Sequence, residues 1–121
     1  MEYKSLGTME YRFLSLIWEN EPVSSMRLVQ LCMEHFGWKK STMYTMLKRL
    51  QDKGLVANNN TVVTSLIIRK EVCTRESEEF ITNTFKGSLP SFITAFLGEK
   101  TISDEEAEEL KRLIDSYREA K

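Results

Sequence analysis

Apolar positions in the first half of the chain recur at helical spacing in three successive blocks, and each block ends at a residue that stops a helix. Phe13, Leu16, Ile17 and Trp18, with Met9 and Tyr11 beside them, predict a first helix from Thr8 to about Glu19, opened by Gly7 or Thr8. Asn20-Glu21-Pro22 breaks it, because proline has no N–H to continue the ladder. Ser24 is a good N-cap for a second helix reaching about Phe36, with Leu28, Leu31, Cys32 and Phe36 as its apolar stripe. Gly37 ends it and makes the turn. In a third helix, from about Lys40 to Lys53, Met43, Leu47 and Leu50 fall at i, i+4 and i+7 with Met46 beside them; Gly54 is its stop.

After Gly54 the period changes. Leu55-Val56-Ala57 is a short apolar run, Asn58-Asn59-Asn60 is a turn signal, and Thr61 to Ile68 is the most β-branched stretch of the chain. Three helices followed by a β-hairpin is the layout of a winged helix, with the wing tip near Asn58 to Thr61. Helical spacing then returns. Val72, Phe80, Ile81 and Phe85 predict a helix from Glu71 to about Lys86. Ser88 caps a short apolar helix from Leu89 to Leu97, with Pro90 tolerated in its first turn. Ser103-Asp104-Glu105-Glu106 is a capping box opening a last helix, along which Ala107, Leu110, Leu113, Ile114 and Tyr117 align.

The expected fold is therefore mainly α with a small β-hairpin: an N-terminal winged helix-turn-helix domain over residues 1–73 and a helical region over 74–121. The second region spans 48 residues, a size at which one core is marginal without a staple or a partner. Yet it carries Phe80, Phe85, Phe92, Ile93, Phe96, Leu97, Leu110 and Leu113. Either these side chains pack back onto the winged domain or they pair with a second copy. Recognition of palindromic DNA calls for two-fold symmetry and favours pairing.

Charge changes this picture more than composition does. The 121-residue chain has a net charge of −1, which by itself argues against nucleic acid. Its distribution argues the other way: residues 1–73 carry ten Lys/Arg and seven Asp/Glu, residues 74–121 seven and eleven. Lys39, Lys40, Lys48, Arg49 and Lys53 against Asp52 concentrate +4 between Trp38 and Val56. A local patch of this kind is what phosphate contact requires. No apolar run approaches the roughly 18–20 residues of a membrane-spanning helix, and the N-terminus lacks a signal-peptide layout, so a cytoplasmic location is expected. Cys32 and Cys73 have no ligand at metal spacing; two buried, reduced thiols and no metal or cofactor are expected. His35, the only histidine, lies near the end of the second helix without a nucleophile or metal partner in any motif, and the glutamates at 105, 106, 108 and 109 form an exposed helix face. An enzyme is not expected.

The segment from Gly37 to Gly54, GWKKSTMYTMLKRLQDKG, carries the chemistry. Ser41, Thr42, Tyr44 and Thr45 point away from its apolar stripe and are the expected groove-facing residues. Threonine offers a hydroxyl and a methyl, which suit a phosphate or a thymine methyl. Lys39, Lys40, Lys48 and Arg49 are the expected phosphate contacts. Competing roles stand beside these: capping for Ser41, a carboxylate partner such as Glu10 for Arg49, and sugar, phosphate or mere helix cover for Tyr44. Trp38 reads as core. The residues themselves point to a dimeric DNA-binding protein; the alternative is a winged-helix protein–protein module that does not touch DNA.

The same residues resemble the penicillinase-repressor family of bacterial transcriptional regulators, which includes the β-lactamase, methicillin-resistance and copper-transport repressors. Leu6-Gly7-Thr8-Met9-Glu10-Tyr11 is similar to the family's opening, where a tryptophan usually stands at the place of Tyr11. Leu16-Ile17-Trp18, Gly37-Trp38, Ser41-Thr42, Thr45, Leu47, Arg49-Leu50 and Lys53-Gly54-Leu55 follow its DNA-binding half. Phe85-Lys86-Gly87-Ser88-Leu89, Ala95-Phe96-Leu97 and the helix from Ser103 to Leu113 follow its dimerisation half. The resemblance implies a dimeric transcriptional repressor: homodimers that sit on promoter palindromes and block transcription. In the antibiotic-responsive branch it implies a membrane sensor protease that triggers cleavage in the dimerisation region, here at the Ala95–Phe96 bond. Those members carry asparagine where this chain has Ala95. The copper branch's Cys-x-Cys motifs have no counterpart in the closing DSYREAK. The wing, NNNTVVTSLII, has no cation before Arg69, so the third helix is expected to carry most of the DNA contact.

Overall fold

The computed structural model describes residues 5–118. In chain order the elements are α1 (Thr8–Asn20), β1 (Val23–Ser24), α2 (Ser25–Phe36), α3 (Lys40–Asp52), β2 (Val56–Asn59), β3 (Val62–Ser65), α4 (Arg69–Phe85), α5 (Leu89–Leu97) and α6 (Asp104–Ser116). The strands form one antiparallel sheet in the order β1-β3-β2. This is a winged helix followed by a helical region, as the periodicity predicts.

The helix ends follow local chemistry. The hydroxyls of Ser24, Ser88 and Ser103 accept the N–H of Arg27, Ser91 and Glu106, so three expected caps form. Gly37 adopts the left-handed φ of 69° that closes α2, its N–H donating to the carbonyl of Met33. A single core then closes the winged half. Phe13, Leu14 and Ile17 of α1, Leu28 and Cys32 of α2, Met43, Leu47 and Leu50 of α3, and Val63 of the sheet are shut off from solvent. At about 1.5–3 kcal/mol for each large side chain, this cluster is what holds α3 in place.

Several features differ from the expectations. β1 was not foreseen: a two-residue strand is too short to show a period, and its partners, Val63 and Val62, are distant in sequence. β3 ends at Ser65. Leu66 and Ile68 turn outward, whereas Ile67 packs on the core and its carbonyl accepts the Trp18 indole N–H at 2.8 Å. α4 starts at Arg69, so the division expected between residues 73 and 74 falls inside a continuous helix. Cys32 is buried, which pushes its thiol up to about 12, but Cys73 is exposed, one residue past the last buried position. Its side chain faces solvent beside the Tyr11 hydroxyl, 3.6 Å away.

That last buried position is Val72. Among the described residues none beyond it is buried, so the helical region does not fold back to hide its apolar side chains. Instead Phe80, Phe85, Phe92 and Phe96 gather edge-to-face or tilted at centroid distances of 5.5–6.0 Å. Phe80 remains 50% and Phe96 61% exposed.

Candidate nucleic-acid interface

α3 presents two chemically opposite faces. Met43, Leu47 and Leu50 are buried against the core, while Ser41, Thr42, Thr45, Lys48 and Arg49 are all exposed. The N-cap is Lys39, in extended backbone and with no side-chain cap bond. Ser41 therefore lies inside the helix, and capping is not its role here. A lysine at the N-cap offers no acceptor to the first N–H groups, and its charge opposes the positive end of the helix dipole. Lys39 and Lys40 thus sit, exposed, at the end of α3 that already attracts anions.

The remaining cations separate into two groups. Lys53 donates to Glu10 Oε2 at 2.8 Å and to the Ser5 carbonyl at 3.3 Å, which removes it from the surface patch. The competing role of Arg49 as a partner of Glu10 is not the one taken: Lys53 is the direct partner, and Arg49 adds only a weaker attraction at longer range. Burial alone would raise the Glu10 pKa. The hydrogen bonds from Lys53 and the Gly7 N–H and the nearby positive charges outweigh it and hold the carboxyl below its ordinary range. Lys48 meets Asp52 at 3.4 Å in an exposed i,i+4 pair that stabilises little. Among the described residues Lys39, Lys40 and Arg49 make no ion pair.

Two hydroxyl side chains behave differently from a freely presented donor. Thr45 Oγ1 donates to the Ser41 carbonyl at 2.9 Å, so its outward groups are the methyl and a lone pair. Tyr44 is half-buried against the core, and its hydroxyl donates to Ser25 Oγ at 3.2 Å. Of its three open roles, the one occupied here is cover of the junction between α3 and α2. Beside it a shallow hollow of about 450 Å³ is lined by Tyr44, Thr45, Lys48, Arg49 and Asp52. Trp38 is core, as expected, with its ring 5.7 Å from Phe13 and 4.8 Å from Phe36.

The wing is anchored along its length to the segment joining α1 and α2. Glu21 accepts the N–H and the hydroxyl of Ser65 at 2.7–2.9 Å, β1 pairs with Val62 and Val63, and the Ser25 N–H donates to the Thr61 carbonyl at 2.8 Å. At the tip Asn60 and Thr61 have φ of 51° and 67°, the pair of positive values a two-residue hairpin turn needs. Asparagine tolerates this; threonine, β-branched, does so at a cost. Glu21 and Ser25 escaped the sequence reading because their partners are 44 and 36 residues away along the chain.

The helical region brings Phe80, Phe85, Phe92 and Phe96 into one open apolar patch. Ile93 on α5 and Leu110 and Leu113 on α6 are also exposed, at 41%, 40% and 52%, and Leu97 is half-buried. Ala95 and Phe96 are exposed within α5, whose end is marked by the Gly98 N–H bonding the Thr94 carbonyl. Among the described residues no group of His, Cys, Asp and Glu gathers to hold a metal, and no helix is long and apolar enough to cross a membrane.

A family model described as penicillinase repressor matches residues 6–116. The methicillin resistance regulatory protein MecI of Staphylococcus aureus is 24% identical over 114 residues, covering 91% of this chain and 93% of the relative. The penicillinase repressor of Bacillus licheniformis is 24% identical over 120 residues, covering 96% and 94%.

Proposed function

The chain belongs to the penicillinase repressor family, and on that premise we propose that it is a dimeric transcriptional repressor that grips a palindromic promoter operator through α3. It is a regulator, not an enzyme, as are the family and the relatives it resembles. The observation that carries the reading is the two-faced α3. A helix anchored by three wholly buried apolar side chains turns hydroxyls and cations outward, at a diameter that fits the major groove. Thr42 and Thr45 are assigned to base edges, and Lys39, Lys40, Lys48, Arg49 and Ser41 to phosphate and sugar. The open patch of Phe80, Phe85, Phe92 and Phe96, extended by Ile93, Leu97, Leu110 and Leu113, is assigned to the second copy. Two copies reach half-sites about 34–36 Å apart.

Release is assigned to cutting of the Ala95–Phe96 bond by a membrane sensor protease, which leaves α6 detached from the rest of the dimerising region. Ala95 is exposed, and Phe96 is exposed in the single chain. Repression places the protein in the cytoplasm with the chromosome.

The test is binding to fragments upstream of its own gene at two salt concentrations. A repressor binds one palindromic fragment selectively, and the affinity falls steeply with salt as counterions are released. Failure to select any fragment overturns the reading. Release is tested by mass spectrometry of the protein from β-lactam-treated cells: a fragment ending at Ala95 is expected, and an intact chain under derepression overturns that step.

A further inference from the structure

We infer that Tyr44 and Ser25 are positioning residues that tie the reading helix to the tip of the wing, so that α3 and the wing present one rigid surface to an operator. The inference rests on the repressor reading and adds to it a determinant of specificity outside the groove-facing residues. Two hydrogen bonds meet on one buried residue. The Tyr44 hydroxyl donates to Ser25 Oγ at 3.2 Å, and the Ser25 N–H donates to the Thr61 carbonyl at 2.8 Å. Ser25 is 2% exposed, so neither bond competes freely with bulk water.

The geometry at Thr61 gives this bridge its purpose. Thr61 holds a left-handed φ of 67°, which a β-branched residue adopts only when its surroundings impose it. Its carbonyl is fixed by the first residue of α2, next to the Ser24↔Val62 pairing that fixes the strand behind it. The wing tip is thus set by the start of α2. The start of α2 is in turn braced by a side chain from the first half of α3. Asn59, Asn60 and Thr61 are exposed and carry no charge. Such a tip attracts DNA weakly, so its contribution depends on being held at the right distance from α3 rather than on long-range attraction.

Tyr44→Phe removes one hydroxyl and keeps the ring. Operator affinity of the full-length protein is expected to fall roughly two- to tenfold, the range of one neutral hydrogen bond. The salt slope is expected to stay unchanged, since no phosphate contact is lost. Ser25→Ala is expected to cost a similar factor, and the double variant no more than the larger single one, because both remove the same bond. In the free protein, exchange of the Ser25 amide, which donates to the Thr61 carbonyl, is expected to quicken in Tyr44→Phe while the melting temperature holds. Losses that multiply in the double variant, or a lower salt slope in Tyr44→Phe, make the hydroxyl a direct DNA contact and overturn the inference. Unchanged exchange at the Ser25 amide also overturns it, without reference to DNA. A wild-type protein that selects no operator overturns the repressor reading instead, and the exchange measurement then decides whether the bridge exists.

Discussion

The winged half and the helical half of this chain are built from similar side chains used in opposite ways. Up to Val72 most of the large apolar residues are shut into a single core, with Met26, Met33, Val62, Leu66 and Ile68 left outside it; beyond Val72 none is buried among the described residues, although Phe80, Phe85, Phe92 and Phe96 form a cluster as aromatic as any in the first half. The winged half closes on itself because three helices and a sheet surround a common centre. In the helical half α4 packs on α5 through phenylalanine rings that stay partly open to solvent. Leaving several phenylalanines in water costs roughly what burying them would stabilise, about 1.5–3 kcal/mol each. A chain that keeps such a face has its complement elsewhere, and a second copy supplies an identical face by symmetry. Charge divides along the same line: α3 carries the cluster of cations, and residues 74–121 carry the acidic excess.

The comparison breaks first in the core. Phe13→Ala is expected to destabilise the protein by about 3–5 kcal/mol in denaturant unfolding, since Phe13 is 0% exposed. A loss under about 1 kcal/mol would mean that the winged half is as loosely closed as the helical one. Phe96→Asp makes the converse test. Because Phe96 is 61% exposed in the single chain, the winged fold is expected to survive. The dimer is expected to weaken by at least roughly 30-fold, about 2 kcal/mol, in sedimentation equilibrium. A persistent dimer places the interface elsewhere.

Much of this division was legible in the sequence. The caps at Ser24, Ser88 and Ser103 and the stop at Gly37 act within a few residues of themselves, and each formed where local chemistry put it. The stripe of Met43, Leu47 and Leu50 announced α3 and its outer face. What escaped were pairings over long stretches of chain: β1 on β3, Glu21 on Ser65, Lys53 rather than Arg49 on Glu10, and Tyr44 turned toward Ser25. Helical spacing placed Tyr44 on the outer face by its angle. It could not say that a long ring reaches sideways to the next helix. The expectation that Cys73 is buried, as free cysteines ordinarily are, fails because it lies one residue past Val72 on a continuous helix, where the core has already ended.

The Glu10–Lys53 pair asks whether the closure of the winged half is polar as well as apolar. It joins the start of α1 to the end of α3 with side chains only 11% and 18% exposed. Glu10→Gln is expected to cost about 2 kcal/mol, because the lysine loses its charged partner in a partly dry site. The folded carboxyl titrates below its ordinary 4.5, so the pair's contribution is complete above that value and is lost as pH falls through the folded pKa. Wild type and Glu10→Gln should therefore differ in unfolding midpoint at pH 7 and converge in the acid range. A difference that persists undiminished at low pH would assign the effect to packing around Gly7 rather than to charge.

The smallest expected effect on stability lies on the surface proposed to bind DNA. Lys48 and Asp52 are 77% and 66% exposed and 3.4 Å apart, so Lys48→Ala should change unfolding by less than about 0.5 kcal/mol. On DNA the same substitution should lower the salt slope of operator binding by about one unit and weaken all sequences nearly equally, because a phosphate contact carries no base information. Asp52→Asn, which frees Lys48 from its neighbour and removes a negative charge from the patch, should strengthen binding to any duplex, most of all at low salt. If Lys48→Ala instead spoils one base position and leaves the slope alone, Lys48 reads a base edge. The hollow it lines with Tyr44, Thr45 and Arg49 would then face the floor of the groove rather than its wall.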